Sequence, residues 1–285
     1  MRRRIPVLLA VPAAGAALAG CGSSDTFKPD VVAQAADKTA SAGGARMDLV
    51  EQVQGQTLHG SGFIDTKGRK ARLRLTLPGT GELQTIYADR IIYLRFPKKL
   101  AGQIPGAKQW IKIDLERFGK AKGIDFSALA GSAGSDPTAQ LDQLRGAGDV
   151  KKLGKEKVRG VETTHFRATI DLRKAAEKAP AAQRAAARRS IENVIRLTGQ
   201  ATVPVEIWID DAGRLRREKA TQRVKGQSLT TTVDLYDFGA SEPVTPPPAS
   251  KTSDITELAG SALASPGRPR RRGAASSRRR RRAAS

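Results

Sequence analysis

Cysteine occurs once in these 285 residues, at Cys21. A lone cysteine excludes an intramolecular disulfide and any site built from several thiolates, so the folded part must be held together by its core. Histidine is nearly as scarce, with only His59 and His165. Each falls on a predicted strand with no conspicuous Asp or Ser partner nearby, and structural or surface roles are expected for both. Aromatic residues make up 4% of the chain, so a ligand cavity would be lined mostly by aliphatic side chains, which suit acyl chains better than sugars or flat rings. There is no Gly-x-Ser-x-Gly elbow and no Gly-x-x-x-x-Gly-Lys loop, the usual marks of a strained nucleophile and of a phosphate cradle. Asp210-Asp211 reads as turn chemistry rather than a cation site, because a tight turn asks for these residue types anyway. No enzymatic activity, metal or cofactor is expected.

Acids are missing from both ends. The formal charge is +22, but three arginines fall in the first four residues and nine between Arg268 and Arg282. Residues 21–264 therefore carry +10, a moderate excess that suits a place beside anionic head groups or acidic wall polymers.

The start of the chain is more specific. Met1-Arg2-Arg3-Arg4 is cationic, an apolar run follows from Ile5 to Leu18, and Leu18-Ala19-Gly20-Cys21 closes it. This is the order of a secretory signal, and the last four residues look like a bacterial lipobox. Cleavage after Gly20 and diacylglyceryl transfer to Cys21 are expected, with acylation of the new amine, which gives the two or more chains that stable anchoring needs. The apolar run is short for a helix crossing about 30 Å of hydrocarbon. Arg2-Arg3 hints at twin-arginine export, but the general secretory route is the reading kept. The expected place is the extracytoplasmic face of the cell membrane. Residues 1–20 then form the signal, 21–29 a lipidated tether, 30–260 one folded domain and 261–285 a basic tail that cannot fold alone.

Within the domain, Asp30 starts a short amphipathic helix that Gly43-Gly44 ends. From Arg46 the apolar period switches to two, the mark of half-buried antiparallel strands. Strands are predicted at 46–54, 58–64, 69–77, 82–88, 91–96, 109–115, 150–158, 161–172, 201–209, 214–224 and 228–238. Small helices are expected at 125–130 and 137–144, a longer helical region at 173–197 broken at Pro180, and a short helix at 252–263. About eleven strands in one open sheet must curl strongly, since twist accumulates. The fold class is therefore α+β: a strongly curved antiparallel sheet with covering helices.

Several segments carry a family resemblance: Ser41 to Leu49, Ile91-Ile92-Tyr93-Leu94, Gln109-Trp110-Ile111-Lys112-Ile113, Val205 to Asp210, and Tyr236-Asp237-Phe238-Gly239 before Pro246-Pro247-Pro248. With the lipobox ahead of them, they resemble actinobacterial lipoproteins of the LppX, LprA, LprF and LprG type, relatives in fold of the LolA and LolB carriers. The resemblance covers Pro29 to about Gly260 and implies that the curved sheet is a half-barrel with helices covering its concave side and an apolar cavity for acyl chains of a lipid or glycolipid. Ile92, Leu94, Phe96, Trp110, Ile113, Ile207 and Trp208 are the candidate lining, although on sequence alone each reads as ordinary core. A monomer that binds lipid and can hand it on is one expectation. The other is an envelope scaffold or sensor that touches a protein or an anionic polymer and has no cavity. The arginine tail, Arg268 to Arg282, departs from the family pattern. It is expected to meet an anionic membrane surface or wall polymer, if it acts at all, and no specific nucleic acid.

Overall fold

The computed structural model describes residues 30–104, 106–122, 147–177, 181–182, 184–224 and 227–258. The signal, Cys21, the helices expected at 125–130 and 137–144 and the arginine tail lie outside these residues.

The first helix, α1 (Asp30–Ser41), buries Val32, Ala35, Ala36 and Thr39 along one side. Their spacing of three and four residues makes a single stripe. Six strands follow: β1 (Gly44–Val53), β2 (Gln56–Asp65), β3 (Lys70–Leu77), β4 (Gly81–Ala88), β5 (Ile91–Arg95) and β6 (Trp110–Asp114). Two-residue turns at Gln54-Gly55 and Asp89-Arg90 have positive φ at both positions, the backbone that matches the twist of the strands they join. The short helix α2 (Lys98–Ala101) precedes β6, and α3 (Leu115–Lys122) follows it; neither was legible in the sequence.

The chain resumes with β7 (Ala147–Val158) and β8 (Val161–Asp171), then α4 (Leu172–Glu177) and α5 (Arg184–Thr198). The two helices bury Ala176, Ala187 and Ile191 against each other, with Leu172 shared between this contact and the main core. The final meander is β9 (Thr202–Asp210), β10 (Leu215–Val224) and β11 (Gln227–Tyr236).

The twelve described strands, the last being Thr252–Asp254 (β12), belong to one open sheet ordered β12-β6-β5-β4-β3-β2-β1-β11-β10-β9-β8-β7. The architecture is the expected α+β half-barrel. Its twelfth strand, β12 (Thr252–Asp254), pairs parallel with β6, so the helix expected at 252–263 is corrected. The helical turn begins only at Thr256, where Asp254 Oδ1 accepts the Thr256 N–H at 3.0 Å in the manner of an N-cap.

The segment leading to β12 crosses the sheet on the face away from α1. Glu242 accepts hydrogen bonds from Arg46 on β1, at 2.9 Å, and from Arg72 on β3. At the far edge Asp254 meets Arg117 at 2.9 Å and Lys112 at 3.3 Å. Partial burial opposes ionisation of Asp254, but the Thr256 hydroxyl and N–H with these two cations hold its carboxyl well below the usual range.

The main core lies between α1 and the other face of the sheet. It joins Val32, Ala35 and Ala36 to Ala45, Met47, Ile64, Phe166, Ile170, Val203, Val205, Ile207, Ile209, Leu215 and Leu235. Thr39 ties the helix to the sheet: its Oγ1 donates to Ala35 O at 2.7 Å and accepts the Leu215 N–H at 2.8 Å, both within the buried interior. Leu215 begins β10 beside a register shift, so this N–H needs an acceptor from outside the ladder. Thr39→Val keeps the shape and removes that acceptor. It is expected to cost about 1–3 kcal/mol, measured as a lower urea midpoint with an unchanged slope.

Candidate functional site

The candidate site is the concave face itself. Register fixes which side chains lie there, because residues two apart share a face and direct partners on neighbouring strands share it too. One transverse row runs Phe166, Ile207, Glu218, Val233, Leu49, Gly60, Leu75 and Leu83. The next runs Ala168, Val205, Ala220, Thr231, Glu51 and Leu58. A third joins Leu235, Met47, Gly62, Leu73, Thr85, Leu94 and Ile111, and a fourth Ala45, Ile64, Ala71, Tyr87, Ile92 and Ile113.

Two glycines of β2 sit in these rows. A Cβ at Gly60 would come within 2.8 Å of Arg74 O, and one at Gly62 within 2.2 Å of Arg72 O. Only glycine allows β2 and β3 to approach this closely, and the same bare positions leave room on the concave side.

Coverage of the face is uneven. The β8 and β9 end is sealed under α1 through Phe166, Ile170, Val205 and Ile207, whereas Glu218, Thr231 and Glu51 in mid-sheet and Leu58, Leu73, Leu83, Ile92, Leu94 and Ile113 toward the other edge are only half-buried. Leu115 at the start of α3 packs with Ala71 and Tyr87, and Ile92 lies against this small cluster.

The seven residues expected to line a cavity do not come together. Ile92, Leu94, Ile113 and Ile207 do share the concave face, but Ile207 is sealed into the α1 core. Phe96 follows the end of β5 and is half-buried. Trp110 and Trp208 alternate with Ile111 and Ile207 and point to the convex face. They cannot line the same cavity as their neighbours, since adjacent residues of a strand face opposite ways.

Trp208 belongs instead to a polar seam on the convex face. Its ring stacks on His165 with centroids 4.0 Å apart, and its indole N–H donates to Glu156 Oε2 at 2.8 Å. His165 faces Glu156 Oε1 through Nδ1 at 2.9 Å and Glu206 Oε2 through Nε2 at 3.1 Å. Its partners were invisible in sequence because they come from β7 and β9. The Trp208 N–H and His165 hold the Glu156 carboxyl below its ordinary range. Nearby, Arg217 makes two bonds to Asp234, at 2.5 and 2.6 Å, and Arg159 at the tip of the β7–β8 hairpin reaches Asp48 at 2.6 Å. His59 is exposed on the convex side of β2. Asp210 receives Arg214 N–H at 2.8 Å and Arg216 Nε at 2.8 Å, which fits the turn reading, and Asp211 is exposed.

Two functional candidates escaped the sequence entirely. Glu218 and Glu51 carry the two carboxyls of the apolar rows, two strands apart on either side of β11. Neither has a hydrogen-bond or ion-pair partner among the described residues. Burial pushes the Glu218 carboxyl up to about 7 and raises that of Glu51. Glu218 keeps part of its surface accessible while the surrounding protein desolvates it, which is what the wall of an enclosed concavity does. The signal was hidden by the register shift between Leu215 and Arg217: strict alternation would put Leu215 and Glu218 on opposite faces, and the extra residue puts them on one.

The geometry thus defines a class, a half-barrel with an aliphatic and partly accessible concave face. No family model matches the chain. An uncharacterised 31.2 kDa protein from the rplA–rplJ intergenic region of Streptomyces griseus is 31% identical over 195 residues, 66% of this chain and 62% of that one. A Streptomyces coelicolor protein inferred to be a lipoprotein is 27% identical over 186 residues, 64% of this chain and 55% of that one. The chain therefore matches about three fifths of the length of these curated relatives. Among solved structures, lipoprotein LppX of Mycobacterium tuberculosis is 12% identical, covers 77% of this chain and 100% of its own, and gives a TM-score of 0.46. LprF of Mycobacterium bovis is 13% identical and covers 77% of this chain and 96% of its own, with a TM-score of 0.41. The chain is similar to lipoproteins of the LppX and LprF type.

Stability should carry the mark of Glu218. Its folded carboxyl binds a proton more tightly than the unfolded one, so the stabilisation is full below the unfolded value of 4.5 and is lost as pH rises through about 7. The difference between those limits is expected to be about 3 kcal/mol at most. Urea midpoints should fall from about pH 4.5 to about pH 8, and Glu218→Gln should remove most of that slope.

Proposed function

We propose that this protein is an envelope lipoprotein, anchored through Cys21 on the extracytoplasmic side of a membrane, that shelters the acyl chains of a lipid or glycolipid against its concave face. The observation that carries the reading is the half-buried aliphatic rows of β2 to β6, with Leu73, Leu83, Ile92 and Leu94 among them. Leaving such surface to water costs roughly 25 cal/mol per Å², and a contiguous apolar patch of this kind marks a binding surface. The lipobox residues and the similarity to a Streptomyces protein inferred to be a lipoprotein support the anchored location. From Cys21 to Asp30 the chain reaches about 30 Å when extended, which keeps the concave face within reach of the bilayer that supplies or receives the lipid. The function needs no catalytic group: the protein lowers the cost of moving chains through water by burying them. The domain boundaries at 30 and 260, and contact of Arg268 to Arg282 with anionic head groups or wall polymers, belong to the same proposal.

Two measurements test it. Cys21→Ser should shift the protein from the membrane fraction to the soluble fraction. The chain from residue 22 onward, purified without detergent, should carry stoichiometric lipid in native mass spectrometry. Leu94→Asp should lower that occupancy by roughly tenfold or more, because a carboxylate buried against hydrocarbon costs well over about 1.4 kcal/mol. Lipid-free wild-type protein under these conditions would favour the scaffold or sensor reading instead.

A further inference from the structure

The four concave rows are mostly apolar, and Glu218 and Glu51 are the carboxyls that stand in them. Glu218 is flanked across the ladder by Ile207 and Val233, and Glu51 by Thr231 and Leu58. Lys152 on β7 shares the Glu218 row across Phe166 and Ile207 but lies exposed at the sheet edge, and the charged groups nearer by are turned away or already used. Arg216, next in β10, is bound to Asp210 at 2.8 Å; Arg217 is bound to Asp234; Glu206 on β9 is bound to His165; and Asp37 and Lys38 of α1 are exposed. Among the described residues no cation or donor meets either carboxyl, and burial raises both.

An uncompensated carboxyl on an apolar wall is costly, and it discriminates. A bound chain that displaces water from Glu218 leaves it with no partner unless the ligand brings one. A hydroxyl or an ammonium supplies donors to the carboxylate, whereas a carboxylate or phosphate places like charges together in a poorly screened site. We propose that Glu218, assisted by Glu51, sorts ligands of the concave face by head group, admitting long-chain amphiphiles whose polar group is a hydroxyl or amine donor and rejecting those that end in an anion. This rests on the acyl-binding reading above. Specificity here comes from an element that is repulsive to the wrong ligand. The long-range field of a chain with net charge +22 attracts anions, so a preference for a cationic or neutral head group has to originate at these carboxyls.

The test uses the full chain from residue 22 with three twelve-carbon probes below their micelle concentrations: dodecylamine, monododecanoylglycerol and dodecanoate. At about pH 8 the amine and the monoacylglycerol are expected to bind on the order of tenfold tighter than dodecanoate. Glu218→Gln should shrink that difference to about threefold or less while leaving the protein folded, and Glu51→Gln should shrink it by a smaller factor. At about pH 5.5 the wild-type difference should narrow, as protonation removes the repulsion. Equal or tighter binding of dodecanoate by the wild type, or a preference that survives in both folded variants, overturns the proposal while leaving the carrier reading in place. If none of the three probes binds, the carrier reading falls with it.

Discussion

The pairing of β1 with β11 is the contact on which the rest of the molecule depends. It joins residues nearly two hundred positions apart, Arg46 with Tyr236 and Met47 with Leu235, and it turns two separate meanders into one sheet. Without it neither half has a face long enough to curl around a ligand. The pairing is slow to form in principle, because the loop entropy of closing so long a stretch precedes any gain. α1 gives the join its hydrophobic return, since Val32, Ala35 and Ala36 bury residues from both meanders at once. The Thr39 to Leu215 hydrogen bond fixes where that helix sits.

The two faces of the sheet do different work. On the convex face every charged group of the seam has a partner close by: His165 between Glu156 and Glu206, Arg217 on Asp234, Arg159 on Asp48, and Glu242 under Arg46 and Arg72. Such pairs fasten the β7–β8 hairpin and the C-terminal strap, and their partial exposure limits what each contributes. On the concave face Glu218 and Glu51 have no hydrogen-bond or ion-pair partner among the described residues. That contrast, satisfied outside and unsatisfied inside, is what separates structural polarity from polarity available to a ligand.

Much of this was legible from sequence. The helix at Asp30, the hairpins turning at Asp89-Arg90 and Arg159-Gly160, and eleven of the twelve strands follow from periodicity and turn chemistry, both local properties. The reading failed where local rules are indifferent. Thr252–Asp254 has no strong preference of its own and becomes strand because the β6 edge offers it backbone partners. Leu115–Lys122 is a helix that the preceding strand pattern concealed. Trp110 and Trp208 were grouped with their apolar neighbours by residue type, although the two-residue period already assigned them to the other side.

Local sequence set most of the secondary structure and the aliphatic character of the interior, because each depends on neighbours a few residues apart. Tertiary structure decided which strands meet, which face is covered and where the unpaired carboxyls lie. Glu218 shows the reason most directly. A single extra residue at the start of β10 reverses the parity of everything after it, and whether a strand bulges is set by its partners on β9 and β11, not by its own residues.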